Sequence, residues 1–527
     1  MIEAAQMSGD EPSAAPSDKA SASAWLAVAA GTLGAMMATL DISIVNSSLP
    51  TIQGEIGASA TEGTWVATSY LVAEIIIIPL TGWLERLLGL RNFLLGSAVL
   101  FTAFSVVCGL SNSLLMMIIG RAGQGFTGGA MIPTAMTIIV TRLPRSQQPM
   151  GTALFGATAT VGPVLGPLLG GWLTENYSWH YAFFINVPVC GALIALLLIG
   201  LPYKAVDATH IREADWLGIL GLAFGLGGLT VMLEEGQRLV WFDSGLIQAM
   251  ALLSFVGFAM LAAGQMTAAR PVIKLSLLAD RQFGSIALMI VVLGMVIYGT
   301  SYVIPQFLAA IDDYNAFQSG LIVIIAAFPT LVMMRVMPYL LKTLDIRLAV
   351  TSGLLILATA SFIDSDLTIV SSGTDFIHSQ LLRGVGQSLS MFFMNQAVVS
   401  SISAEEAGDA SGLINAMRNL GGSIALASLS VLQDQRSWFH SRRLEETLNA
   451  NSPVVQDYMA NIAHLLGGQP ASIRYLGQQI QMQSLVFTYN DIFWLLTIIT
   501  VAVIPLVFFL RPFPEDPEDP PAELHHL

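Results

Sequence analysis

The chain has 527 residues, 54% of them hydrophobic and 11% charged, with a mean hydropathy of +0.68, whereas a soluble globular chain carries about 25% charged residues; the composition is that of a membrane protein. Its formal charge of -14, from 22 basic and 36 acidic side chains, argues against a nucleic-acid partner. The two cysteines, Cys108 and Cys190, sit in apolar stretches and offer neither a disulfide framework nor a metal site, and no glycine-lysine phosphate loop or His-Glu-x-x-His spacing supports ATP-driven transport or metal chemistry.

In chain order, residues 1–24 read as a disordered cytoplasmic tail rich in Ala, Ser and Pro. Apolar windows of roughly 20 residues then recur at approximately 25–49, 63–84, 93–110, 114–140, 151–173, 181–202, 216–235, 244–268, 283–310, 318–340, 348–363, 376–400, 410–432 and 487–510. The expected fold is an all-α membrane protein of about 14 transmembrane helices. It divides into an N-terminal six-helix half (25–202), a two-helix insert with flanking loops (203–282), a C-terminal six-helix half (283–510) and an acidic cytoplasmic tail (511–527). Residues 433–484 are polar and Gln-rich; they read as a small folded periplasmic extension, with a floppy connector as the alternative. Loops on one side hold Arg86, Arg91, Arg142, Arg145, Lys204, Arg212, Arg270, Lys274, Arg281, Lys342 and Arg347, and the short loops on the other only Arg238, which puts both termini in the cytoplasm. Arg436, Arg442, Arg443 and Arg474 run against that rule.

An ionised side chain at the centre of a span costs about 2.5 to 3.5 kcal/mol on insertion scales, so such residues need a partner or a purpose. They are Asp41, Glu74, Arg121, Arg383 and Arg418. Asp41 and Glu74 are expected to carry protons and Arg121 to pair with them; the alternative is a static salt bridge. Arg121, Gln124, Gly125 and Gly128 fall on one helical stripe, whose glycines allow a neighbouring helix to approach. In the fifth span Gly162, Pro163, Gly166, Pro167 and Gly170 make a thin, bent helix suited to a hinge or gasket between halves. Arg121-Ala-Gly-Gln-Gly125 is echoed by Arg383-Gly-Val-Gly-Gln387, a sign of repeated halves. Candidates for a substrate cavity are Tyr70, Gln124, Arg383, Gln387, Met391, Met394, Asn395, Asn415 and Arg418, since Met-rich and aromatic surfaces adapt to varied apolar ligands. Lipid-facing packing is the alternative for the stretch around Met391.

Several segments together resemble one family: Leu40-Asp41-Ile-Ser-Ile-Val-Asn46, Gly63-Thr-Trp-Val-Ala-Thr-Ser-Tyr70, the Arg121-x-x-Gln-Gly125 stripe, the Gly-Pro run, and Asn176-Tyr-Ser-Trp-His-Tyr-Ala-Phe-Phe-Ile-Asn-Val-Pro188. They look like the fourteen-span drug:proton antiporters of the major facilitator superfamily, EmrB type. The resemblance implies two pseudo-symmetric six-helix halves around a central cavity, and alternating-access export of lipophilic or amphipathic toxic compounds from the bacterial inner membrane. Its energy source would be the proton gradient, with no cofactor. It also implies partners, an EmrA-like periplasmic adaptor and a TolC-like outer-membrane channel. Proton-coupled import of a small organic solute on the same fold is the alternative. The chain departs from the superfamily pattern after the second span, where Gly82-Trp-Leu-Glu85-Arg86 places Arg86 at the usual Asp position, so inner-gate salt bridges of the usual form are not implied.

Overall fold

The structure is a computed structural model, described over residues 20–206, 214–268, 270–403, 405–448, 452–466 and 468–512. The expected tails over 1–24 and 511–527 lie largely outside the described residues. Nine helices among the described residues are long and apolar enough to cross a membrane. Grouped across short breaks, the long helices form fourteen rods. The first half holds α1 (Ala22–Glu55), α2 (Trp65–Leu88), α3 (Leu90–Gly109), α4 (Leu114–Gly128 and Met131–Arg142), α5 (Gln148–Asn176) and α6 (Tyr181–Gly200). The insert is α7 (Trp216–Glu235) and α8 (Gly245–Thr267). The second half holds α9 (Arg281–Ile311), α10 (Phe317–Thr343), α11 (Ile346–Ile363), α12 (Phe376–Ser401), α13 (Ala407–Thr447) and α14 (Gln469–Ala502).

The pairing of helices repeats. In the first half α1 packs on α5, α2 on α4, and α3 on α4 and α6; in the second α9 packs on α13, α10 on α12, and α11 on α12 and α14. The halves meet along α2 with α13 and α5 with α10. Both described chain ends lie at one face, where Trp25 donates to Gln147 at 3.1 Å and Arg347 donates to the Leu510 carbonyl at 2.8 Å. Small residues decide how close the rods come. Gly225 and Gly257 bring the α7 and α8 backbones together, and on α5 the glycines at 162, 166 and 170 sit opposite Thr39, Ser43 and Ser47 of α1, four residues apart on both helices.

One expectation changes here. The glycine face of α5 seals against α1 of its own half, because serine and threonine leave the room its backbone needs; of the five residues expected at the hinge, Pro167 faces the other half, at Gly320 of α10. The Pro163 side chain lies outside the described residues. The polar stretch after residue 432 is largely helical, which agrees with a folded extension and sets aside the floppy connector. α13 continues unbroken to Thr447, a separate helix spans Pro453–Leu466, and α14 starts at Gln469. Polar helix persists there because the two rods pair side by side, with Arg436 and His440 on the Asp491 carboxylate at 2.6 and 2.7 Å and Ser484 donating to the Ser437 carbonyl. The basic residues that opposed the charge rule are thus partly neutralised, and Arg442 and Arg443 lie over the Trp438 and Phe439 rings.

Candidate functional site

Asp41 and Arg121 form an ion pair at 2.6 Å, and both side chains are fully buried. The short side chain of Asp41 on α1 meets the long one from α4 because Gly125, one turn along, lets α2 and α4 touch at the Tyr70 backbone. The guanidinium is held on three sides: its Nε donates to the Val66 carbonyl at 3.2 Å, its Nη1 also donates to Gln124 at 3.1 Å, and its plane lies 4.3 Å from the Tyr70 ring centre. The second Asp41 oxygen accepts from Gln124 Nε2 at 3.1 Å and Asn186 Nδ2 at 2.6 Å, and Ser105 Oγ accepts from both amides. α1, α2, α3, α4 and α6 are therefore tied at one point. Asn186 and Ser105 are additions to the site residues read from sequence; the signal for Ser105 is a polar residue within an apolar span, and that for Asn186 its place in the Asn176–Pro188 segment.

Glu74 has a different setting. It lines a cavity of about 420 Å³ between the halves, walled by α1, α2, α4, α5, α9, α10, α12 and α13, with Arg418 in the same wall. Asn419 on α13 lies within its hydrogen-bonding reach, and no ion pair within 4 Å engages Glu74 among the described residues. Thr39, Ile42 and Ser43 of α1 line the cavity, so Asp41 points the other way, into its own half. Of the sequence candidates, Met391 and Arg418 line this cavity. Tyr70 and Gln124 belong instead to the Asp41 knot. Arg383 pairs with Asp364 at 2.7 Å and with Gln380, within the second half. Met394, Gln387 and Asn395 are buried on α12, and Asn415 donates to the Ser411 carbonyl of its own helix.

The cavity is shut toward the face that holds the termini. Arg86 Nη1 reaches both oxygens of Asp409 at the start of α13, each at 3.0 Å, and Lys274 reaches Glu406 at 2.9 Å. Ser411 adds a bond to the Pro133 carbonyl of α4. Partial burial works to raise the Glu406 carboxyl, but the bonds from Lys274 and Ser403 outweigh it and hold it below the usual carboxylate range. An inter-half salt bridge therefore exists where the altered loop motif implied none of the usual form; the arginine is in α2 and the acid in α13. Because Arg86 is a third exposed, Asp409→Asn is expected to weaken the latch by about 1 kcal/mol, roughly a fivefold shift toward opening. Spin-label distances across this face would check it, with an unchanged distribution contradicting the latch.

The Major Facilitator Superfamily profile matches residues 31–426. The chain is 31% identical to the colistin resistance protein EmrB of Acinetobacter baumannii, over 92% of this chain and 96% of that one. It is 31% identical to the multidrug export protein EmrB of Escherichia coli K12, over 91% and 94%, and 29% identical to the fatty acid resistance protein FarB of Neisseria gonorrhoeae, over 94% and 98%. Among solved structures it is similar to the human organic anion transporter MFSD10, with a TM-score of 0.56, 15% identity and coverage of 92% of this chain and all of that one. The proton:xylose symporter XylE gives a TM-score of 0.57 at 15% identity, over 92% and 96%. These two likenesses concern the fold.

Proposed function

Because the chain belongs to the major facilitator superfamily, we propose that it exports lipophilic or amphipathic toxic compounds by alternating access, driven by proton entry. The observation that carries this reading is a cavity between the halves, closed on the side of the termini and lined by one acid, Glu74, that no ion pair claims among the described residues. The full-length relatives it matches are named for multidrug export and for resistance to colistin and fatty acids. We take the closed face as cytoplasmic, on the strength of the basic loops, and the membrane as the bacterial inner membrane. In this cycle Glu74 exchanges its proton with the cavity, while the Asp41–Arg121 knot transmits the change to α1 and α4. A carboxylate facing water and a carboxylate locked under a guanidinium differ in access, so the first is the natural exchange site and the second the point where helices are held.

Inside-out vesicles holding only this protein, with an imposed proton gradient and a panel of lipophilic compounds, test the reading. Glu74→Gln keeps shape and removes the titrating proton, and Asp41→Asn keeps shape and removes the carboxylate charge under Arg121, so each is expected to lower gradient-driven export at least about tenfold, the first with folding intact and the second with reduced stability. Wild-type rates in both variants would sink the coupling assignment.

The helical extension beyond residue 432 is the part of the chain suited to a periplasmic adaptor. Trp438 is 61% exposed and Phe439 39%, and each carries an arginine over its ring, a residue mix enriched at interface centres. Replacing it with a short Gly/Ser connector is expected to leave vesicle transport largely intact and to abolish adaptor co-purification and drug resistance of whole cells. Normal adaptor yield with the shortened chain would move the docking role elsewhere.

A further inference from the structure

Helix α7 of the insert ends, at the face opposite the termini, on two adjacent carboxylates with different surroundings. Glu235 is fully engaged: it accepts from Arg238 Nε at 2.6 Å and from the hydroxyls of Thr64 and Thr68 on the approach to and start of α2. Glu234, about 100° round the helix, turns to α13 and accepts from Ser423 Oγ at 3.0 Å. One turn down α13 from Ser423 lies Asn419, which accepts from the Tyr298 hydroxyl at 3.3 Å and reaches Glu74. The Tyr298 ring covers Gly422 so closely that a Cβ there would come within 2.6 Å of it. A stripe of Asn419, Tyr298 and Ser423 thus runs outward from the cavity acid to an acid on the insert.

The groups facing Glu234 are few. Its own helix brings Glu235, neutralised by Arg238; α13 brings Ser423, with Arg418 inward and Asp434 outward, the latter bonded to Gln237; α9 brings Tyr298, and α2 brings Glu74 beyond it. No ion pair engages Glu234 among the described residues. Its hydroxyl partner suits either protonation state, since serine donates to a carboxylate and accepts from a carboxylic acid.

We propose that Glu234 is a second proton-carrying group of the export cycle, exchanging a proton with Glu74 along the Ser423, Tyr298 and Asn419 stripe. The inserted helices then form part of the proton route. The inference rests on the export reading above. Each transfer breaks an O–H bond at one carboxyl and makes one at the other; the Ser423 and Tyr298 hydroxyls each give up one proton and take another, while Asn419, an amide that relays none, holds the Tyr298 hydroxyl beside the cavity that Glu74 lines.

The test uses the full-length protein. On addition of ethidium the purified Glu234→Gln variant is expected to release fewer protons than wild type, counted with a pH dye. In liposomes with an acid exterior, its gradient-driven efflux of ethidium should fall at least about tenfold, while ethidium exchange at equal pH, which needs no net proton movement, stays within about twofold. Glu234→Asp, which keeps the carboxyl, should recover most of the driven efflux, and Ser423→Ala should fall between the two. A Glu234→Gln protein that releases protons and effluxes like wild type overturns this inference alone. A wild type that moves no ethidium under a gradient overturns the export reading together with it. Should glutamine disturb folding, the aspartate and Ser423→Ala variants decide the matter by the same two readouts.

Discussion

Replacing Arg121 with lysine is expected to reduce gradient-driven export nearly as far as alanine does, to below about a tenth of wild type, although lysine keeps the charge. The guanidinium spans three partners at once: Nη1 serves Asp41 and Gln124, Nε serves the Val66 carbonyl, and the plane rests on Tyr70. A single ammonium on a flexible stem reaches Asp41 or the carbonyl, and leaves the other bonds unmade. Alanine is worse for stability, because a fully buried Asp41 loses its counter-ion, at a cost of about 3 to 5 kcal/mol. Thermal unfolding of the two variants in detergent should therefore separate while their transport rates do not. Full transport by the lysine variant would show that a point charge suffices and that the fork geometry is incidental.

Gly166→Val is expected to be strongly damaging, as is Gly170→Val one turn along α5. A Cβ at Gly166 meets Ser43 and lies 2.9 Å from the Ile44 backbone nitrogen, so the relief has to come from main chain and not from a side-chain tip. Valine adds two further carbons in the same direction, and separating α1 from α5 costs about 3 kcal/mol or more, at the upper end for overpacked sites. The expected result is a loss of monodisperse protein on size exclusion. Gly191→Ala on α6, with nothing within 4 Å of the added carbon, is the matched control and should behave as wild type. Equal yields of the two variants would mean that α1 and α5 are not held as closely as described.

The rods themselves were legible because apolar length is what a bilayer demands, and the Asp41–Arg121 pair because a buried charge needs a partner. What was not legible follows from the limits of those two signals. Hydropathy marks where a helix enters lipid and says nothing about where it ends in water, so α13 was cut at 432 although its hydrogen bonds run on to Thr447. Asp409 lies just outside the expected span over 410–432 and Asp364 just beyond 348–363, where hydropathy places no intramembrane charge, and both are buried partners of arginines. Arg383 is a cavity candidate by sequence, yet it pairs with Asp364 within its own half and is not among the residues lining the cavity. A stripe on one helix reveals which residues share a face and leaves open which neighbour that face meets.

α13 is a single unbroken rod of 41 residues, about 62 Å long at 1.5 Å per residue. It carries Asp409 of the latch near one end, Arg418 at the cavity, and Trp438 and Arg442 near the other. Such a rod works as a lever. A tilt of 10° about its middle would move each end by about 5 Å in opposite directions, so releasing the latch at one end swings the far tip without any hinge between them. Anything fastened to that tip would feel each turnover as a stroke, and a load applied there would in turn resist or assist the parting of Arg86 from Asp409.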